Sequence, residues 1–231
     1  MAVNHLSVRF ERDVLKDVSF RVNRGDVLAI VGPNGSGKSV LLRALLGLVP
    51  HEGDVEWSGN PKIGYVPQKL AIEHTFPLSV REFMQLKEPS HEKIIELLRS
   101  VGLGDHDSYH LHHHILNQRL GLLSGGQFQR VMVAWSLADH PDILLYDEPT
   151  SGVDVGGEET IYTLLDKMRR QHNLTLILVS HDLNIVYKYA NTVMCLNQSM
   201  ICYGVPQEVL DPAALTKLYG GQTSFYQHHH E

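Results

Sequence analysis

The stretch Gly32-Pro33-Asn34-Gly35-Ser36-Gly37-Lys38-Ser39 decides how this chain folds. It follows the apolar run Val27-Leu28-Ala29-Ile30-Val31 and precedes Val40-Leu41-Leu42-Arg43-Ala44-Leu45-Leu46-Gly47, so it reads as the loop joining a buried strand to a helix. Glycines at its first, fourth and sixth positions permit backbone conformations that a side chain penalises. Successive N–H groups can then turn toward an anion at the positive end of the helix. Such a loop cradles phosphate. Lys38 is placed for the β- and γ-phosphates, and Ser39 for the magnesium ion that travels with them.

Upstream, Val3 to Phe10 and Val18 to Val22 each alternate or cluster β-branched and apolar residues, with Glu11-Arg12-Asp13 as the polar turn between them, so they predict an antiparallel pair. Phe10 ends the first strand, where its ring can stack on an adenine or simply join the core. Downstream, Gly53 to Gly59 and Lys62 to Val66 read as short strands around a turn, closed by Pro67-Gln68. From Lys69 to about Asp139 the pattern becomes helical, over Val80–Lys87, His91–Val101 and Gln127–Asp139, which predicts an inserted helical subdomain.

The β/α alternation resumes with Ile143 to Asp147, a helix over Glu158 to Arg170 and a strand over Leu174 to Ser180. A helix over Leu183 to Tyr189 follows, then strands at Thr192 to Leu196 and Met200 to Tyr203. Two short proline-started helices, Pro206–Leu210 and Pro212–Tyr219, end the pattern.

At 231 residues the chain can hold one large domain or one domain with an insert. Its net charge of −6, with no Lys/Arg block, argues against a general nucleic-acid binder, although 15 histidines titrate near neutral pH. The two cysteines, Cys195 and Cys202, suit neither a zinc knuckle nor a disulfide framework and are expected as reduced core residues of a cytosolic protein. No apolar run reaches the roughly 18 residues of a membrane span, and residues 1–10 have no signal-like pattern. Action at a membrane would need a second chain to supply it.

Four further places carry chemistry. The apolar strand ending in Asp147-Glu148 puts two carboxylates at the C-terminal edge of a sheet, Asp147 suited to the magnesium shell and Glu148 to polarising a water in line with the γ-phosphate. Leu123-Ser124-Gly125-Gly126-Gln127 opens a helix and offers a hydroxyl and N–H groups to one anion, or else caps the helix and nothing more. With one phosphate cradle already present, Ser124, Gly125, Gly126 and Gln127 are expected to close over a nucleotide held by another copy. His181, after a strand, can sense the γ-phosphate, and Gln68 can be a metal-water ligand that moves the insert.

Taken in order, these motifs resemble the nucleotide-binding ATPase subunit of ABC transporters: Phe10, the phosphate loop Gly32 to Ser39, Gln68, the signature Leu123 to Gln127, Asp147 and Glu148, the loop Ser151-Gly152-Val153-Asp154, and His181. The resemblance implies an α/β P-loop NTPase core with an antiparallel β subdomain and the helical insert at 69–139 within a core of 1–68 and 140–231. It implies ATP and Mg2+ as ligands: Phe10, the phosphate loop, Ser124 to Gln127 and Asp154 for the nucleotide, with Ser39, Gln68 and Asp147 for the metal. Glu148, His181 and Gln68 would be catalytic.

It also implies a head-to-tail homodimer, a transmembrane permease subunit whose short helix docks on the insert, and a place on the cytoplasmic face of the membrane. Within the family, Gly64 to Gln68, Phe76 to Phe83, Asp147 to Val155 and Ile201 to Pro206 resemble subunits of zinc, manganese or iron importers, which would add an extracytoplasmic metal-binding protein as an indirect partner. Trp135 departs from the family, which has a basic residue there.

The alternatives are another solute, an exporter, a soluble ABC ATPase of DNA repair or translation, or a non-hydrolysing module. An insert of about 70 residues is too short for a long heptad hairpin, and Glu148 supplies the base that a non-hydrolysing module would lack. His110, His112, His113 and His114, and His228, His229 and His230, read as a solvated loop and a loose tail rather than a metal site, because no carboxylate or cysteine completes a ligand set.

Overall fold

The computed structural model describes residues 1–68, 72–88, 90–103, 115–148 and 155–220, with the backbone alone described at 155–160 and 172. In chain order the elements are β1 (Ala2–Arg9), β2 (Asp13–Arg21), β3 (Val27–Val31), α1 (Lys38–Leu45), β4 (Glu52–Glu56), β5 (Ile63–Val66), α2 (Val80–Gln85) and α3 (His91–Ser100). After a 3₁₀ turn at Leu120–Leu122 come α4 (Gly125–Leu137), β6 (Ile143–Tyr146), α5 (Val155–His172), β7 (Thr175–Val179), α6 (Leu183–Tyr189), β8 (Thr192–Asn197), β9 (Ser199–Gly204), α7 (Pro206–Val209) and α8 (Pro212–Tyr219). Expected and observed elements agree to within a few residues, β2 being the one that begins well before its expected start at Val18.

The chain divides into two compact units, the first being 1–22, 27–57 and 179–231 and the second 23–26 and 58–178. In the first unit β1 lies between β2 and β4, antiparallel to both. Alternation drives most of this sheet: Val3, Leu6, Val8, Leu15, Val18 and Phe20 are buried between exposed or half-buried residues, and the alternation breaks at His5 and Asp17, which take left-handed φ values of 54° and 50° where the register shifts. β3, buried along its whole length as its unbroken apolar sequence demands, pairs in parallel with β8, which continues antiparallel into β9.

In the second unit β5, β6 and β7 run parallel, with Val66 opposite Tyr146 and Tyr146 opposite Leu178. The helices of the insert start where the sequence supplies caps. Ser79 and Glu82 form a reciprocal capping box for α2, Ser90 caps α3, and Ser124 with Gln127 repeats the box for α4. Ile94 and Leu98, one turn apart on α3, form its buried stripe.

Two expectations need correction. β4 and β5 are not two strands around one turn: β4 joins β1 and β5 joins β6, because β4 carries only Val55 as a half-buried apolar residue and serves as an exposed edge. Cys195 and Cys202 are not separate thiols but a disulfide joining paired positions of β8 and β9. Seven residues apart, they were too close for a spacing rule to expect pairing, whereas a hairpin puts such residues face to face.

Candidate functional site

The phosphate loop lies in the first unit between β3 and α1, as the strand–loop–helix reading required. Two of its glycines are there for room. Gly32, at φ 158°, has the carbonyl oxygen of Leu196 so close that a Cβ would sit 2.0 Å from it. Gly37, the N-cap of α1 at φ 102°, would put a Cβ 2.6 Å from Cδ2 of Leu15. Any side chain at either place displaces backbone or core.

Inside the loop, the buried Lys38 ammonium donates to the carbonyl oxygens of Gly32 at 2.9 Å and Pro33 at 3.0 Å. Ser36 Oγ, in a side chain only 2% exposed, has no hydrogen-bond partner among the described residues. Buried hydroxyls are rarely left unsatisfied, so an orphaned one beside a buried cation and a helix N-terminus fits a bound phosphate group.

The same unit holds Phe10 and His181. Phe10, just past β1, is 54% exposed, so its ring belongs to the surface rather than the core. Ser180 N–H donates to the carbonyl of Ile30 at 3.1 Å, which sets the chain preceding His181 beside the end of β3, where the phosphate loop begins. Asp182 then caps α6 through Asn184 N–H at 2.8 Å.

The second unit holds Gln68, Asp147, Glu148 and the Ser124 turn. Parallel pairing of β5 and β6 brings their C-terminal ends together, and Asp147 N–H donates to Val66 O at 3.0 Å. Gln68 and Glu148, 80 positions apart, therefore meet, the Gln68 Nε2 donating to a Glu148 carboxylate oxygen. Glu148 has the left-handed φ of 47°, a conformation that costs a non-glycine residue energy and turns its side chain out of the strand's alternation. Asp147 is only 1% exposed, as suits a carboxylate held for a cation.

Ser124 Oγ accepts the N–H of Gln127 at 3.2 Å, and Gln127 Oε1 accepts the N–H of Ser124 at 3.0 Å. Within one chain the signature is thus a capped helix start. Asp154, the loop Ser151 to Asp154 and both histidine tracts lie outside the described residues. Among the described residues no group of three or more His, Cys, Asp or Glu is arranged to hold a metal ion. A cleft of about 680 Å³ in the second unit, lined by Leu97, Leu137, Met168 and Leu174 together with Glu96 and His140, contains none of the expected site residues.

One contribution escaped the sequence reading. The turn between β8 and β9 braces the phosphate loop: Gln198 N–H donates to Ser36 O at 2.9 Å, and Gln198 O accepts Lys16 N–H at 2.8 Å. Backbone contacts of this kind leave no residue signature.

A phosphate loop feeding a helix, with a strained strand-end glutamate tied to a glutamine, defines a nucleotide-hydrolysing α/β protein. The ABC transporter family matches residues 15–151, more than half of the chain, and the chain belongs to that family as an ATP-binding, ATP-hydrolysing domain.

Solved structures agree. An inward-facing transporter described as metal-chelate type superposes with a TM-score of 0.81 at 28% identity, covering 94% of this chain and 87% of that one. CbiO1 from Clostridium perfringens, part of the CbiONQ transporter complex, gives 0.75 at 26%, covering 94% and 92%. A bacterial ABC cassette solved as a dimer gives 0.76 at 26%, covering 89% and 98%, and its complex with ADP and Pi after hydrolysis gives 0.74 at 25% with the same coverage. Among the described residues no helix is long and apolar enough to cross a membrane.

Proposed function

We propose that this chain is the ATPase subunit of an importer for a divalent metal ion, zinc, manganese or iron, working as a head-to-tail homodimer on the cytoplasmic face of a membrane permease. The observation that carries the catalytic part is the Gln68–Glu148 pair at the adjoining ends of β5 and β6. Lys38, Ser36 and the loop N–H groups bind the phosphates, and Phe10 stacks on the base. Ser39, Gln68 and Asp147 would hold Mg2+, which when bound neutralises charge on the phosphates.

Glu148 orients the attacking water and takes its proton, while Gln68 fixes the carboxylate and couples it to the segment leading into the insert. His181 reads the γ-phosphate. Ser124 to Gln127 and Asp154 close the site on the second copy, and the insert, 69–139, receives a short helix of the permease.

Support for the metal cargo comes from the sequence resemblance and from the neighbour of metal-chelate type. The permease and the dimer are supported by the transporter complex and the dimeric cassette among the neighbours. Glu148→Gln tests both levels. It should lower phosphate release by about 10²- to 10⁴-fold, the usual weight of a general base, while leaving ATP affinity within about twofold. In sizing chromatography it should run as an ATP-dependent dimer, and a monomer that hydrolyses at the normal rate would refute the role and the sandwich together. Cells carrying only this variant, grown with limiting metals, should show a selective fall in zinc, manganese or iron by elemental analysis. An unchanged profile would leave the motor and remove the metal.

A further inference from the structure

We infer that Cys195 and Cys202 are a thiol–disulfide redox site that sets the nucleotide affinity of the phosphate loop. They are the only two cysteines of the chain and lie directly opposite each other in the β8–β9 ladder, bonded, with their Cα atoms 4.8 Å apart. Their placement links them to the loop on two sides. Along β8, Cys195 is the register partner of Val31, the residue immediately before Gly32. Toward the hairpin tip, the next residue, Leu196, packs its carbonyl oxygen against Gly32, and Gln198 at the tip donates its N–H to Ser36 O.

The pair stands where the hairpin most needs a fastening. Up to Cys195–Cys202 the strands pair in regular order. Beyond it the register slips by one, Leu196 facing Met200 and Asn197 facing Ser199, with Ile201 left over as a bulge. Gln198 itself takes a left-handed φ of 61°. A bulged, strained tip has loose register unless something fixes it. With the disulfide closed, the backbone groups of Leu196 and Gln198 are held against Gly32 and Ser36. With it open, the tip regains freedom that nucleotide binding must then remove.

Opening and closing are chemically accessible from one side. Cys195 is fully buried whereas Cys202 is half-buried, so a thiolate from a dithiol reductant attacks Cys202 Sγ. The Cys195–Cys202 bond breaks, a mixed disulfide forms at Cys202, and Cys195 leaves as a thiolate and is protonated. The second thiol of the reductant then attacks its own sulfur in the mixed disulfide, freeing Cys202 as a thiol. Two electrons and two protons have passed to the protein, and the reductant departs as a disulfide; an oxidised disulfide runs the exchange backward. On a protein facing a reducing compartment such a bond is a switch rather than a permanent staple.

The inference rests on the phosphate loop binding ATP, and its test reads the two apart. The full chain is prepared oxidised with glutathione disulfide and reduced with dithiothreitol, both reagents are removed, and free thiols are counted. The oxidised form should show none and the reduced form two.

The reduced form should bind ATP about fivefold more weakly or worse, the lower end of coupling between linked sites. Without nucleotide, the Gln198 and Lys16 amides should exchange faster when reduced. Cys202→Ala, or Cys202→Ser if the first accumulates poorly, should bind like the reduced wild type in either buffer. Two free thiols after oxidation, equal affinities for the two forms, or a redox effect that survives in the variant would each overturn the inference. Failure of both forms to bind ATP would overturn the nucleotide reading beneath it, and the exchange rates, measured without ATP, would identify that case.

Discussion

At Tyr146, the last residue of β6, two requirements collide. The strand needs a fully buried apolar residue there, and the ring supplies it, but the hydroxyl is buried with no partner among the described residues. Desolvation pushes its pKa well above the ordinary tyrosine value, with Tyr162 adding to the rise and Arg130 opposing it. Because the folded-state pKa is the raised one, the neutral hydroxyl favours the folded chain. That contribution is complete below about pH 10, where unfolded tyrosine also stays protonated, and is lost as the pH climbs above it. Tyr146→Phe keeps the ring and removes the orphan. It should raise stability by about 1 kcal/mol at neutral pH and blunt the loss in alkali, read from urea midpoints at pH 7 and pH 11. A variant less stable than wild type at neutral pH would mean that the hydroxyl is satisfied. No sequence pattern reveals such an orphan, since the apolar run Ile143 to Tyr146 looks the same whether the hydroxyl finds a partner or not.

The start of α4 separates capping from catalysis. Ser124 and Gln127 satisfy each other's N–H groups, so loss of the hydroxyl in Ser124→Ala should cost about 1 kcal/mol of stability whatever else the serine does. Ser124→Asp keeps a residue that ranks with serine as a cap, yet sets a negative charge where the proposed dimer brings a γ-phosphate. Ser124→Asp should therefore melt within about 2 °C of wild type while losing nearly all ATPase activity, and a fully active aspartate variant would leave the signature as a cap alone. Legibility follows the same division. The capping boxes at Ser79 and Ser124 and the proline starts at Pro206 and Pro212 could be read because each device is local in sequence. The destination of β4 could not, since Gly53 to Gly59 carries no information about whether the strand meets β5 or β1. Likewise Gln68 and Glu148 were both expected in the site, but their contact comes from the register of β5 on β6, a non-local fact.

At the scale of the whole protein, the sequence was informative where chemistry constrains residue type and silent where backbone meets backbone, as at the β8–β9 tip against Ser36. The partner surface lies between these extremes. In the second unit Phe76 and Leu122 are 47% and 54% exposed, large apolar side chains left open to water. They stand on neighbouring turns. Phe76 N–H closes its turn on Glu73 O at 2.9 Å, and Gly121 packs so tightly against that turn that a Cβ would lie 2.5 Å from the same carbonyl oxygen. Phe76 precedes α2 and Leu122 ends the 3₁₀ turn, both in the proposed insert, where the permease helix is expected to dock. If that helix buries the two side chains, Phe76→Asp with Leu122→Asp should leave folding and ATP affinity within about twofold of wild type, because neither residue is part of the core. The same pair should abolish recovery of the membrane subunit on the tagged ATPase and, in cells, stop transport, since each interface anchor contributes about 2 kcal/mol or more and a charge in its place must be desolvated. Undiminished recovery and transport would move the docking surface away from these turns while leaving the nucleotide chemistry intact.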